Sequence, residues 1–478
     1  MTLDDFSDRL NPVFVKETRQ LFHNKTVLTT LLLLLVAELF MHLIIALNYS
    51  SMDKRTLEDL GMISFVIQQV MVGLAILVIC IGRAPMIFTQ ERSAKELDYS
   101  RISVISPRAI VIGKVISQVV VMLDIYTIAM PFMFIAYFLR GVSIPQMVGW
   151  SMGIIPIYVL FIQFGLMLAS FGKKNLLGVI FVFSYFGAQA LVPIGIGFGS
   201  GHLGGDAVFS IFCYVITFIF ASTLLFSLTV AVITSFGNRV YWLRLLGLAN
   251  LLLLIVLNGA LSLCRRKISW YDADDFLAFS SFLILIQFAI TVIICLFERD
   301  EPGARVMAER PDGRVRRFLR FLLSSGRAGG LAFSWLYLLI WGAAVLAGML
   351  LAPIELFFAG DAIEVASIFY IIAFYLLFYI QFALILVRSF RKLKPEYAGI
   401  MVFFLLFVIP FLLASVMCFE NGGLGDYWML LVTTPVCCAR SVEIGWLGML
   451  FCLVTLLPLC KYVYASMKRF VFEEKEAK

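Results

Sequence analysis

Glu38 and His42 stand four residues apart inside one unbroken apolar run, and Asp124 lies midway along another. That spacing puts Glu38 and His42 on one face of a helix, where they could pair with each other. Ionisable groups in hydrocarbon are costly, so such residues mark ion pathways or proton relays by default. The same three positions also suit plain hydrogen bonds between helices. Gln68, Gln69, Gln163, Gln287 and Gln381 read as interhelical glue of that kind.

Catalytic constellations do not assemble from this sequence. There are three histidines, His23, His42 and His202, and no HExxH, GxSxG or Cys/His metal spacing. Gly172-Lys173-Lys174 lacks the upstream glycine and following hydroxyl of a phosphate loop, and the glycine run 195–205 opens no βαβ pattern. The expectation is a chain without enzymatic activity of its own, without a metal site and without a bound cofactor. The nine cysteines fall mainly in or beside apolar runs and include no CxxC pair. They read as buried thiols.

The elements that must position these residues follow from composition. Of 478 residues, 62% are hydrophobic and 14% charged, too little charge to coat a water-facing surface. A membrane-crossing helix takes roughly 20 apolar residues. Suitable runs occur at 27–47, 61–82, 110–138, 147–171, 176–198, 207–234, 243–263, 276–297, 331–352, 363–387, 398–418 and 443–460. Continuous rather than alternating runs point to helices, not to a barrel. The expected fold is an all-α polytopic membrane protein of about twelve spans, with kinks at Pro131, Pro156, Pro193 and Pro410. The stretch 427–440 also suits a re-entrant hairpin. The polar N-terminal segment does not read as a cleavable signal, so the first span is expected to be a retained anchor.

Charge sets the orientation. With the N-terminus inside, cytoplasmic segments and span edges hold 31 of the 38 Lys and Arg, and the outer loops hold 7. The asymmetry places both termini in the cytoplasm. These cations flank membrane spans and call for no nucleic-acid partner. Two inner segments stand out. Residues 83–109 read as a short charged helix with Glu91–Lys95 and Arg92–Glu96 pairs, followed by a Ser-Pro turn. Residues 298–330 hold eight arginines, and Arg314, Arg316, Arg317 and Arg320 alternate with apolar residues. A helix there would suit an anionic inner leaflet; an ordinary positive-inside loop fits the same residues.

Several of these inner residues resemble one known pattern. Asn11-Pro12, Lys16-Glu17 and Arg19 resemble the opening of bacterial type-2 ABC transporter permeases. Glu91-Arg92, Leu97-Asp98, Ser106-Pro107-Arg108 and Gly113-Lys114 resemble the loop that leads into that family's third span. Lys95-Glu96 stands where the family usually has Gly-Thr, and Val104 where a proline is common. The resemblance implies an amphipathic elbow helix over residues 11–25, with Val13, Phe14, Leu21 and Phe22 toward lipid and Lys16, Arg19, His23 and Lys25 toward water. It also implies a coupling helix, carried by Glu91, Arg92, Glu96, Leu97, Ser106, Pro107, Arg108 and Lys114, that docks on a separate ATP-binding subunit.

Residues 1–240 match one permease unit, and residues 241–478, with the Arg-rich loop 298–330, form a second six-span half without a second copy of either motif. The resemblance implies an exporter subunit in the cytoplasmic membrane of a bacterium. ATP and Mg would be used by the partner subunit, and the chain would assemble as a homodimer or beside a second permease, among membrane lipids. Two rival functions remain: a polytopic scaffold or sensor that keeps the fold without transport, and an ion-coupled carrier using Glu38, His42 and Asp124.

Overall fold

Inside a bilayer each backbone N–H and C=O must be satisfied within its own segment, so apolar runs of this length become helices. A computed structural model of the chain describes residues 11–48, 54–76, 78–79, 106–139, 142–170, 205–234, 240–263, 270–296, 298, 307, 311–351, 361–389, 401–402 and 457–471. Among the described residues twelve helices are defined and there is no strand. Helices α1 (Pro12–Phe22), α2 (Lys25–Asn48), α3 (Lys54–Ile76), α4 (Pro107–Phe138), α5 (Ile144–Ser170) and α6 (Gly205–Ile233) belong to a first compact unit, residues 1–234. Helices α7 (Tyr241–Leu263), α8 (Trp270–Leu296), α9 (Arg314–Leu323), α10 (Arg327–Leu351), α11 (Asp361–Ser389) and α12 (Leu457–Val471) belong to a second, residues 235–478.

Seven of these helices are long and apolar enough to cross a membrane: α2, α4, α5, α6, α7, α10 and α11, with mean hydropathy from 1.7 to 2.5 in the spanning stretch. Shorter apolar stretches occupy Leu60–Ile76 in α3 and Phe279–Cys295 in α8. The chain is a multi-pass helical membrane protein. Described helices coincide with nine of the twelve expected spans. The run at 176–198 and the hairpin segment 427–440 lie outside the described residues, as do most of 398–418 and 443–460. Helix α12 overlaps the run 443–460 only at residues 457–460 and extends to Val471. Pro131 and Pro156 sit inside α4 and α5, and both helices continue through them.

In the first unit α4 is the central element, packed on α1, α2, α3, α5 and α6. Its buried Gln118, Met122, Ile125, Ala129, Met133 and Ala136 recur every three or four residues along one face. At 1.5 Å per residue its 32 residues span about 48 Å, well beyond the ~30 Å hydrocarbon core. The ends of α4 therefore project past the apolar layer. Helix α2 turns Leu34, Glu38 and His42 inward and leaves Leu32, Leu33, Phe40 and Leu47 exposed, the arrangement of a lipid-facing helix. Gln69 of α3 joins two neighbours: Tyr126 Oη of α4 donates to its Oε1 (3.2 Å), and Tyr158 Oη of α5 donates to its carbonyl (3.4 Å).

The second unit is organised around Arg244, near the start of α7 and 1% exposed. Its Nη2 donates to both carboxylate oxygens of Glu298 (2.5 and 2.7 Å), just past the end of α8. Its Nη1 donates to the carbonyls of Leu322 (3.1 Å), in the last turn of α9, and of Ser324, in the link from α9 to α10. Glu298 also accepts from Gly326 N (2.9 Å). Burial pushes the Glu298 carboxyl above its ordinary range, while Arg244 and the Gly326 amide pull it back. Four elements thus meet on one buried ion pair. A Cβ added at Gly330 would come within 2.6 Å of Arg244 Nη2 and of Cys295 Sγ, so the start of α10 must pass this point without a side chain.

Removing one member of a buried ion pair leaves a bare charge, at a cost of about 3–5 kcal/mol. Arg244→Met is expected to lose that much stability in chemical unfolding of the micelle-solubilised chain. Combining it with Glu298→Met is expected to restore most of the loss.

Candidate functional site

The described parts of the two sequence motifs, residues 11–19 and 106–114, meet at the junction of α1 and α4. Asn11 is the N-cap of α1: its Oδ1 accepts from Val13 N (3.0 Å), satisfying a backbone donor that the helix cannot. The same side chain donates through Nδ2 to the carbonyl of Ala109 (2.5 Å), in the first turn of α4. Pro12 then takes the first helical position, where its missing N–H costs nothing. On α4 the mirror arrangement holds, with Ser106 Oγ accepting from Ala109 N (3.3 Å) and Pro107 at the first position. Two Asn/Ser-Pro starts thus fix two helix beginnings against each other.

One turn further on, Lys114 Nζ donates to Glu17 Oε1 at 2.5 Å, with the two residues 3% and 2% exposed. Charges taken this far from water are tolerated only when matched. The pair therefore sets the register of α1 along α4. Beside it α4 presents Gly113, where an added Cβ would lie 2.9 Å from Phe14 N and 3.0 Å from Val13 Cβ. The close approach needs glycine. Lys16, Arg19, His23 and Lys25 are exposed. Arg108 is exposed at the end of α4 that continues from residues 83–105.

The expected lipid-facing set of α1 is corrected at Leu21 and Val13, which turn toward α4. Leu21 is 1% exposed and Val13 packs at Gly113, while Phe14 is half-buried and Phe22 is 50% exposed. The reason is electrostatic and geometric. Glu17 shares a helix face with Leu21 and Val13, and Glu17 must meet Lys114, so that whole face turns toward α4. Glu91, Arg92, Glu96 and Leu97 lie outside the described residues.

The intramembrane candidates form a separate node within the same unit. Glu38 and His42 share a buried face of α2, with Glu38 Oε2 at 4.0 Å from His42 Nδ1. His42 Nδ1 instead donates to the Glu38 backbone carbonyl (2.8 Å). Gln68 Nε2 contacts both the Phe132 carbonyl (3.0 Å) and His42 Nε2 (2.9 Å). A carbonyl can only accept, so this end of Gln68 is its NH2 group and His42 Nε2 is the acceptor. His42 is therefore a neutral imidazole carrying its proton on Nδ1. Both Glu38 carboxyl oxygens are buried and have no hydrogen-bond partner among the described residues. Asp124 is half-buried with Oδ2 likewise unpartnered, and among the described residues no hydrogen bond or ion pair joins it to Glu38 or His42. No group of three or more metal-ligating side chains occurs among the described residues.

The glutamine reading divides. Gln68 and Gln69 bridge helices, and Gln163 Nε2 donates to Ser222 Oγ (2.8 Å) between α5 and α6. Gln287 and Gln381 are buried with both amide atoms lacking a hydrogen-bond partner among the described residues. The residue pair that sequence reasoning missed is Arg244–Glu298. Its signal was present: Arg244 is a cation four residues into an apolar helix, and the rule that flagged Glu38 flags it too. No protein-family model, curated protein or solved structure matches this chain.

If Glu17 and Lys114 hold α1 to α4, then Glu17→Leu or Lys114→Met alone is expected to cost about 3–5 kcal/mol. The double variant is expected to regain most of that, read by thermal unfolding in detergent. Gly113→Ala is expected to cost about 1–3 kcal/mol through overpacking at Phe14 and Val13.

Proposed function

We propose that this chain is the membrane permease subunit of an ABC exporter of the type-2 class, set in the cytoplasmic membrane of a bacterium, with ATP and Mg consumed by a separate ATP-binding subunit. The observation that supports this reading is the convergence of its two sequence motifs. Residues 11–19 and 106–114 are nearly a hundred positions apart, yet Asn11 bonds to Ala109, Glu17 pairs with Lys114, and Val13 and Phe14 close on Gly113.

The mechanical consequence follows from connectivity. The charged segment 83–105 runs directly into Ser106 and Pro107, so a displacement of that segment is applied to the first turn of α4. Helix α1 is locked to that turn, and only His23 and Asn24 separate it from α2. Because α4 packs on α2, α3, α5 and α6, motion at its cytoplasmic end reaches each described helix of the first unit. Closure of an ATPase dimer on segment 83–105 would in this way rearrange the spans. Two ATPases call for two permease units, supplied by a homodimer or by a second permease.

Pull-down of the tagged full chain from native membranes tests the reading. The expected outcome is co-purification of a Walker-motif ATPase, and its loss when Glu91, Arg92, Glu96 and Arg108 are all charge-reversed while the chain stays in the membrane. Absence of an ATPase, or its unchanged retention by the reversed variant, contradicts it. The Glu38 carboxyl, without a hydrogen-bond partner among the described residues and beside His42, favours one rival, an ion-coupled carrier. That reading expects Glu38→Gln to abolish transport driven by a pH gradient in ATP-free vesicles, whereas an ATP-driven exporter shows no such transport to lose.

A further inference from the structure

Helix α9 divides its residues three ways. Phe321 and Leu322 are buried, with Phe321 packed on Phe470 of α12 at 5.7 Å between ring centroids. Arg317 and Arg320 are committed to the protein: Arg317 donates to the carbonyls of Pro311 (3.1 Å) and Val471 (3.4 Å), and Arg320 sits 5.5 Å over the Tyr241 ring. The apolar face that ends at buried Leu322 is exposed over its N-terminal part. Val315, Phe318 and Leu319, at i, i+3 and i+4, are 73%, 38% and 50% exposed. Arg314 and Arg316, both exposed, flank it.

Position fixes what this face meets. Only Ser324, Ser325 and Gly326 separate α9 from α10, whose membrane-spanning stretch begins at Arg327. Three residues reach roughly 10–14 Å at full extension, so α9 stays within that distance of the bilayer surface. Charge asymmetry along the chain puts this end of α10 on the cytoplasmic side. A fully apolar stripe three residues from a span, bordered by arginines, matches the acyl boundary and phosphates of an anionic leaflet. A two-fold contact between copies through the same face would bring its own arginines together, which electrostatics opposes.

We propose that α9 is an interfacial lipid-binding helix. Val315, Phe318 and Leu319 enter the acyl boundary of the cytoplasmic leaflet, and Arg314 and Arg316 hold the phosphates of anionic phospholipids. The helix is anchored to the second unit through α12 and the Arg244 node, so lipid bound here bears on the starts of α7 and α10 together.

The test uses the full chain with a benzophenone side chain in place of Leu319, reconstituted in phosphatidylcholine vesicles containing phosphatidylglycerol. After illumination the adducts are identified by mass. The expected result is lipid adducts in which phosphatidylglycerol exceeds its share of the bilayer. Arg314→Gln with Arg316→Gln is expected to reduce that preference roughly tenfold or more, at about fivefold per arginine, while phosphatidylcholine adducts persist. Crosslinks to a second copy of the chain, an absence of lipid adducts, or a phosphatidylglycerol share that the arginine variants leave unmoved would each overturn the proposal.

Discussion

A carboxylate and an ammonium taken out of water must find each other, and most of the first unit is arranged so that Glu17 and Lys114 do. An unmatched charge at either position would cost several kcal/mol. The pair therefore dictates which face of α1 turns inward, how far along α4 it sits, and why α4 carries glycine at the neighbouring position. Asn11 adds direction to the clamp. It caps its own helix with one atom and holds the first turn of α4 with the other.

The second unit reaches a comparable solution with different residues. Arg244 and Glu298 form a buried bidentate pair at the end of two apolar helices, and the link behind amphipathic α9 closes over it. In each unit, taken by itself, a short amphipathic helix is tied to span ends through a buried charge pair. In the second unit the pair sits at helix ends, where the Leu322 and Ser324 carbonyls and the Gly326 amide are free to join it. The intramembrane node around Glu38, His42 and Gln68 is of another kind. It holds α2 to α3 and α4 through neutral hydrogen bonds and leaves one carboxyl without a partner among the described residues.

Much of this was legible in the order of residues. Apolar run length located the described spans, because hydrocarbon leaves the backbone no alternative to the helix. Asn11-Pro12 and Ser106-Pro107 marked two helix starts by capping chemistry alone. The direction in which α1 faces was not legible, since its alternation fits a lipid-facing helix as well as a docked one. Only the distant Lys114 decides between them. Arg244 went unnoticed for a related reason: a cation near a span edge reads as topology until its buried partner fifty-four residues away is seen. His42 shows the converse, since spacing paired it with the Glu38 side chain but the short bond goes to the Glu38 backbone.

In the proposed permease, α1 and the start of α4 form one rigid lever between segment 83–105 and the spans. Spin-label distances between Gln20 on α1 and Ile112 on α4, both outward-facing, test this most directly when the chain is reconstituted with the ATP-binding subunit proposed for it. A rigid lever gives one narrow distance distribution that is the same with and without ATP. A distribution that shifts or broadens on ATP addition would show the two helices parting, and would contradict it.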